Sequence, residues 1–216
     1  MISRRTALGL IGSGISTFAI GRASAADYPA RPVRWIVGYP PGGATDIIAR
    51  LIGQRLSEKL GQQFVIENKP GAGTIIGTQS VAASPPDGYT LLMATFANAV
   101  NPSLYRKLPY DPHKDFAPVA LVARSFNVVV VNPASPIKSI KDLIAAARAD
   151  PEKLSYGTYG TGTSAHLAGE LFKHMAGVNL TTVPYKGAAP AITDLIGGQI
   201  QVMFTTVASC ASLVEA

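Results

Sequence analysis

Three glycine-rich turns hold the residue types best suited to chemistry in this sequence. They read "GYPPGGATD" at 38–46, "KPGAGT" at 69–74 and "YGTYGTGTS" at 156–164. Backbone N–H groups at a helix N-terminus, together with the helix dipole, bind an anion without any cationic side chain. Glycine lets a ligand come close to that backbone. The turns therefore predict a site that suits a small carboxylate.

Nucleotide binding is disfavoured by what surrounds these turns. No Gly-Lys-Ser/Thr sequence follows them, as a P-loop would require. No G-x-G-x-x-G motif stands at the first strand-to-helix turn with an acid about twenty residues further on, as a dinucleotide site would require. The glycines of one turn could simply make a tight turn. Three turns at the same topological position favour a binding site instead.

Single side chains near the turns leave alternatives open. His166 follows the third turn and could bind a ligand carboxylate, or equally cap and pack locally. Asp46 could receive an ammonium group or a water, or simply be an acid favoured by the helix dipole. Lys186 could meet a carboxylate at a cleft, or be a solvated turn lysine.

Catalytic and metal-binding patterns are not found. Ser164 and His166 are two residues apart on a predicted helix and do not face each other, and no G-x-S-x-G motif is present. Three scattered histidines have no metal-ligand spacing. Cys210 is the single cysteine, so no intrachain disulfide is possible. We expect no catalytic residue, no metal and no cofactor.

The elements that must position these turns alternate between strands and helices. Such alternation predicts an α/β fold with right-handed crossovers, in two consecutive units whose turns lie at the C-terminal ends of the strands. Thr45 is a plausible N-cap of the first helix, which ends at Gly61. In the second unit Ser139 and Asp142 form a capping box, and Gly177 closes the next helix.

Three further segments complete the predicted organisation. We interpret "FANAVN" at 96–101 as a polar loop and "ALVARSFNVVVVN" at 120–132 as an extended strand. The last strand lies in "IQVMFTTVAS" at 200–209 and leaves through an exit loop.

Composition is that of a folded protein with an export signal. The chain has 216 residues, 47% of them apolar and 15% charged, with a formal net charge of +6. A charged start, an apolar run and "ASA" at 23–25 predict a signal peptide over residues 1–26, cleaved near Ala25, on either the Sec or the twin-arginine route. No Lys/Arg cluster remains beyond it, so nucleic acid is not expected as a partner.

Six segments carry a resemblance to a known family. They are "YPARPVRWIVGYPPGGATDIIAR", "LGQQFVIENKPGAGTIIG", "PDGYTLL", "LPYDPHKDFAPVALV", "YGTYGTGTSAHLAGELFKHMAGV" and "VPYKGAAPAITDLIGGQIQVMF". The chain resembles the substrate-binding proteins of tripartite tricarboxylate transporters, the TctC-like or Bug receptors. The resemblance implies a periplasmic, monomeric, non-enzymatic receptor with no cofactor. It would close two α/β lobes on a small organic anion and deliver it to membrane transporter subunits.

The resemblance also implies a set of ligand-binding residues. The first turn would grip a carboxylate through backbone groups and bridging waters, the loop after the third strand would add a hydroxyl, and the second lobe would close from the other side. These residues are Tyr39, Pro41, Gly42, Gly43, Ala44, Asp46, Thr95, Tyr159, Gly160, Thr161, Gly162, Thr163, His166, Tyr185 and Lys186.

The architecture implied is the two-lobed, type II periplasmic-binding-protein fold, the Venus flytrap. We expect lobe 1 over residues 27–122 and lobe 2 over 123–216, with lobe 1 incomplete because family members run longer and the chain looks C-terminally truncated. Two other functions stay open at this point. One is an exported α/β enzyme acting on a small carboxylate, and the other is a protein that presents its ligand to a signalling receptor.

Overall fold

The computed structural model describes residues 28–151 and 153–214. The predicted signal peptide lies outside these residues. Among the described residues, no helix combines the length and the apolar character needed to cross a membrane.

A parallel three-stranded sheet organises the first part of the chain. Its strands lie in the order β2-β1-β3, and α1 packs mainly on β1 and β2 while α2 packs on β1 and β3. The elements are β1 (Val33–Val37), α1 (Ala44–Leu60), β2 (Phe64–Asn68), a 3-10 turn (Ala72–Thr74), α2 (Ile75–Ala82), β3 (Thr90–Met93) and α3 (Phe96–Leu104). We call this part the first lobe.

A mixed four-stranded sheet organises the second part, which we call the second lobe. Its strands lie in the order β4-β7-β5-β6, and β4 runs antiparallel to β7 while the other pairs are parallel. The elements are β4 (Asn127–Val131), α4 (Ile140–Ala149), β5 (Ser155–Thr158), α5 (Ser164–Ala176), β6 (Thr181–Pro184), α6 (Ala188–Ile196), β7 (Val202–Thr206) and α7 (Val207–Val214). The α/β prediction is therefore confirmed.

Each lobe buries an apolar core between its sheet and its helices. Alternate residues of β1, centred on Trp35, face α1 and pack with Phe64 and Met93. In the second lobe Tyr156 of β5 and Phe204 of β7 pack edge to face, with ring centroids 5.5 Å apart. Aromatic pairs at this distance and angle contribute about 1 kcal/mol beyond the area they bury. These cores fix the strands whose C-terminal ends carry the turns.

Several predicted helix ends agree with the structure. Gly61 and Gly177 end α1 and α5 in left-handed conformations, with φ of 69° and 61°. The hydroxyl of Ser139 caps α4 by accepting a hydrogen bond from the Asp142 N–H at 3.2 Å. The predicted capping box is only half formed, because the Asp142 carboxylate accepts from the Lys138 N–H at 3.1 Å and not from that of Ser139. The prediction of Thr45 as N-cap was wrong, because α1 begins two residues earlier and its N-cap is Gly43.

The polar segment 96–101 is not a loop but the start of α3. One of its asparagines favours the helix: Asn98, in the first turn, accepts a hydrogen bond from the Thr95 N–H at 2.8 Å. A side chain in this position satisfies one of the N–H groups that a helix start leaves free. The prediction of an exit loop after β7 was also wrong, because α7 begins directly at Val207.

The long extended segment is only half a strand. Strand β4 begins at Asn127, whereas residues 120–126 have no strand pairing in the described part of the chain. The whole run 117–127 is exposed, with Val119 83% and Phe126 79% accessible. The apolar, β-branched composition favours a strand, but a strand also needs a partner.

Candidate functional site

The N-terminus of α1 lies at the junction of the two lobes. The turn "PPGG" delivers the chain to Gly43, an N-cap that supplies no side-chain acceptor. The N–H of Ala44, the first residue of α1, instead donates to the hydroxyl of Ser209 in the second lobe at 3.3 Å. Helix N-terminal N–H groups carry partial positive charge and favour an anion or an oxygen acceptor.

Asp46 shapes this turn from inside the protein. It is only 3% exposed, and its carboxylate accepts hydrogen bonds from the Gly42 N–H, Arg50 Nε and Asn68 Nδ2 at 2.9–3.0 Å. Asn68 also donates to the Tyr39 carbonyl, so the same network holds the end of β1. Burial alone would raise the pKa of Asp46, but these hydrogen bonds together keep that pKa below its usual value.

Hydroxyl groups from both lobes face one another beside the α1 N-terminus. Tyr39 and Thr95 of the first lobe are joined at 3.3 Å between their oxygens. In the second lobe the Tyr159 oxygen accepts from the Thr206 N–H at 3.2 Å, and the Thr206 and Ser209 hydroxyls lie 2.9 Å apart. With Gly43 and Ala44 these residues line one cavity. We call the seven together the interlobe cleft: Tyr39, Gly43, Ala44, Thr95, Tyr159, Thr206 and Ser209.

Both phenols of the interlobe cleft are kept neutral. Burial raises the pKa of Tyr39, and the neighbouring Tyr159 phenol adds to the rise. Burial likewise raises the pKa of Tyr159. Since each phenol keeps its proton at neutral pH, each is able to donate a hydrogen bond to a ligand oxygen.

The cavity is larger than the interlobe cleft. Its volume is about 1800 Å³, and it continues along one face of α1 and along segment 110–127. The Lys and Arg side chains among its lining residues, Lys114 and Arg124, belong to that segment. None of the seven residues of the interlobe cleft carries a charge.

The structure brings together five of the predicted site residues. Tyr39, Gly43, Ala44, Thr95 and Tyr159 all line the cavity. Pro41 and Gly42 lie exposed at the start of the same turn.

The rest of the third glycine-rich turn is folded on itself. The Thr163 hydroxyl donates to the Gly160 carbonyl at 2.7 Å and accepts from the His166 N–H at 3.3 Å, which caps α5. The Gly162 N–H lies 3.4 Å from His166 Nδ1. The side chain of His166 thus contacts its own turn in this structure, and its part in ligand binding stays a prediction. These residues and Thr161 do not line the cavity as it stands.

The predicted rim residues also lie outside the cavity lining. The Tyr185 hydroxyl donates to Asp194 Oδ2 at 2.7 Å. Burial and this hydrogen bond raise the pKa of Tyr185 to about 12. Lys186 is exposed.

Sequence reasoning missed Thr206 and Ser209. Both follow the core of β7, where a strand gives way to a helix without any glycine. The search for glycine-rich turns passed over them. The signal that could have found them is the hydroxyl-rich "TTVAS" at the C-terminal end of a strand, because open α/β sheets bind ligands at those ends.

Nucleophilic and metal chemistry gain no support from the described residues. The Ser164 hydroxyl pairs with Asn127 Oδ1 at 3.3 Å and not with His166. Cys210 is buried, and burial raises the pKa of its thiol. No group of three or more His, Cys, Asp or Glu side chains within residues 28–151 and 153–214 is placed to hold a metal ion.

A cleft between two α/β lobes, lined by hydroxyls and a helix N-terminus, is the arrangement of a solute-binding protein. Residues 48–216 match the model of the tripartite tricarboxylate transporter family receptor. The chain belongs to this family.

Similar proteins agree with that membership. Protein BugT of Bordetella pertussis is 41% identical over 196 residues, which are 89% of this chain and 60% of BugT. The structure of R. palustris Rpa4515 with adipate is 43% identical, has a TM-score of 0.84, and is matched over 87% of this chain and 63% of that one. MatC of Rhodopseudomonas palustris with bound malate is 33% identical, with a TM-score of 0.77 and coverage of 87% and 65%.

These findings confirm the periplasmic-binding-protein fold and membership of a receptor family. The matched family is described as a transporter receptor and not as an enzyme. The chain spans about 60% of the length of the relatives it matches. The boundary between the lobes at 122/123 stays a prediction.

Proposed function

We propose that this protein captures a small carboxylate in the interlobe cleft and delivers it to a tripartite tricarboxylate-type membrane transporter. The observation that carries the proposal is the α1 N-terminus, whose Ala44 N–H points across the cleft to a hydroxyl of the other lobe at 3.3 Å. An oxygen of a ligand carboxylate would accept that same N–H, in a site that both lobes form.

The chemistry of the cleft favours a carboxylate held by dipoles. Tyr39 and Tyr159 are neutral donors, Thr95 and Ser209 offer further hydroxyls, and the helix dipole adds positive potential. Charge-assisted hydrogen bonds from neutral donors to a carboxylate are about twice as strong as neutral ones. Several such bonds hold an anion without a fixed positive charge. A moderate affinity suits a receptor that must release its ligand.

The predicted site residues take two roles in this proposal. Those that line the cavity would contact the ligand directly or through water: Tyr39, Gly43, Ala44, Thr95 and Tyr159. Those that do not line it would shape the two turns and the lobe contacts or meet the ligand at the rim: Pro41, Gly42, Asp46, Gly160, Thr161, Gly162, Thr163, His166, Tyr185 and Lys186.

The ligand class follows from the similar receptors. Adipate and malate, present in two of the matched structures, are both dicarboxylates. We therefore propose a dicarboxylate as the ligand, a periplasmic location, and a monomer that docks on the transporter subunits.

The test is a thermal-shift and calorimetric panel on the whole chain. Malate, adipate, a monocarboxylate and the dimethyl ester of adipate are compared at rising concentration. A binder at 100 times its Kd adds about 2.7 kcal/mol to the unfolding free energy, which raises Tm by several degrees. We expect a shift with at least one dicarboxylate and none with the ester, which keeps the carbon skeleton without the charges. A folded chain that responds to no acid, or to acid and ester alike, would overturn the proposal.

A further inference from the structure

One side chain of the second lobe already accepts a hydrogen bond from the N-terminus of α1. Ser209 lies in the first turn of α7, and its hydroxyl accepts the Ala44 N–H of α1 across the cleft. The two residues are 165 positions apart in the chain, so this hydrogen bond links the lobes. It is made at the helix end whose N-cap, Gly43, provides no acceptor of its own.

The hydrogen bonds of this hydroxyl have a definite direction. A serine hydroxyl has one donor and two acceptor positions. Ser209 uses one acceptor position for the Ala44 N–H. It also forms a hydrogen bond with the Thr206 hydroxyl, 2.9 Å away. Either hydroxyl of that pair can be the donor. The proton of Ser209 is therefore free to turn toward a ligand while Thr206 donates in its place.

We propose that Ser209 is a positioning residue that stands in for the ligand carboxylate at the α1 N-terminus and couples ligand binding to lobe closure. Without ligand, its oxygen accepts the Ala44 N–H and holds the lobes together weakly. With ligand, a carboxylate oxygen takes that N–H, and the Ser209 hydroxyl donates to the carboxylate from the other lobe. This inference rests on the proposed function, because it concerns the same cleft.

A carboxylate fixed at position 209 is the sharpest test. Ser209→Asp places an anion on the second lobe, opposite the α1 N-terminus, where it would compete with any ligand carboxylate from within the chain. Ala208→Asp is the matched control, since it adds the same charge to the same first turn of α7 at an exposed position. The new carboxylate interacts with the α7 dipole in both variants, but only in Ser209→Asp does it face Ala44. Ser209→Ala removes the hydroxyl without adding charge.

The readouts are Kd for malate and adipate and Tm with and without each acid, all on the whole chain. For Ser209→Asp we expect a Tm about 1–4 °C above that of Ala208→Asp, because an anion now sits at the α1 N-terminus. We also expect at least about a tenfold rise in Kd, because its own carboxylate fills the site. For Ser209→Ala we expect a Kd about three- to tenfold higher with an unchanged fold.

Each outcome decides for or against the role of Ser209. Equal ligand affinity in wild type, Ser209→Asp and Ser209→Ala would overturn it and leave the proposed function standing. Weak binding in Ala208→Asp as well as in Ser209→Asp would also overturn it, because charge alone would then explain the loss. If wild type binds no acid while Ser209→Asp still gains Tm over its control, the proposed function fails and the contact with α1 stands. If Ser209→Asp does not fold, the affinity of Ser209→Ala decides.

Discussion

At the scale of single residues, Asp46 differs most from its simplest interpretation. The sequence leaves two roles for it, a group that receives an ammonium or a water, or an acid favoured by the helix dipole. The structure adds a third role, since its carboxylate ties Gly42, Arg50 and Asn68 together beneath the turn. A carboxylate saturated in this way holds the backbone donors of the turn in place and has little capacity left for a ligand.

Replacing Asp46 with Asn tests that role through pH. The folded pKa lies below the unfolded one, so the stabilisation is present above the unfolded pKa of about 3.9 and is lost as pH falls through the lower folded pKa. Arg50 is half exposed, so we expect a loss of only about 1–2 kcal/mol at pH 7. Urea unfolding at pH 7 and through the acid range measures it. We expect the wild-type protein to lose stability in acid more steeply than Asp46→Asn.

Glu58→Gln is the matched control for this measurement. Glu58 pairs with Arg55 on the exposed side of α1, so its loss should leave the unfolding free energy unchanged. Equal effects of the two substitutions would contradict a special role for Asp46.

Tyr39→Phe tests the phenol as a ligand donor. It removes one neutral hydroxyl from the interlobe cleft and keeps the ring, so we expect Kd for the bound acid to rise about fivefold. Because burial raises the pKa of Tyr39, the wild-type Kd should also stay constant from about pH 6 to about pH 9. Calorimetry checks both. Tyr28→Phe, at an exposed tyrosine whose hydroxyl donates to the Gly88 carbonyl, should bind as wild type does.

How far the site could be predicted depends on what each residue type determines by itself. Glycines and helix starts mark places where backbone N–H groups are free, and the first turn does reach the cleft. The direction of a polar side chain is set by tertiary contacts instead. His166 supports its own turn and Tyr185 pairs with Asp194, and neither outcome follows from spacing along the chain.

At the scale of elements, the second glycine-rich turn is the most strained. Four consecutive residues, 71–74, have positive φ, and two of them are not glycine: Ala72 at 45° and Thr74 at 77°. Non-glycine residues in this region cost about 1 kcal/mol or more each and persist where neighbours hold them. Asn101 of α3 does so here by donating to the Gly73 carbonyl at 2.8 Å.

Gly73→Ala uses this turn to test lobe closure. A Cβ at residue 73 would stand 3.1 Å from both the Thr161 carbonyl of the second lobe and the Tyr105 hydroxyl of the first, so we expect the contact between the lobes to shift by a few tenths of an ångström. Kd for the bound acid should rise. Gly61→Ala has a similar φ, 69°, in open space, so it carries the backbone strain without the clash. If both variants lose affinity equally, strain rather than closure is responsible.

The elements themselves were predictable where local rules act alone. Apolar runs in the sequence predicted the strands, and the glycines at 61 and 177 predicted the ends of α1 and α5. Segment 96–101 was missed because asparagine is common both in loops and in first helical turns. The direction of β4 and the lack of strand pairing at 120–126 depend on which other strand lies next to each segment. The periodicity of apolar residues carries no information about that neighbour.

At the scale of the whole molecule, the lobes touch on several sides of the cleft. Besides the Ser209 contact, a Cβ at Gly187 would lie 3.4 Å from the Pro40 ring, and one at Gly162 would lie 2.8 Å from a methyl of Leu104. Small residues at these points let the lobes approach. The connection between the lobes has the opposite character, since residues 117–127 are exposed throughout.

That exposure predicts where a protease acts first. Trypsin should cut after Arg124 before it cuts after Arg55 or Lys173, which lie within helices. Mass spectrometry of a brief digest identifies the first site, and Arg124→Gln should slow the separation of the two lobes. Early cleavage at Arg55 with Arg124 intact would contradict the exposed path of this segment.

The uncharged interlobe cleft has a consequence for the medium in which the protein works. Mobile ions screen the long-range attraction between opposite charges, over about 10 Å at 0.1 M salt, but act weakly on hydrogen bonds inside a closed cleft. If dipoles hold the anion, the association rate and Kd should change little between about 20 mM and about 500 mM sodium chloride, whereas a site built on lysine or arginine would weaken. Such a receptor would bind its ligand equally well at low and at high ionic strength.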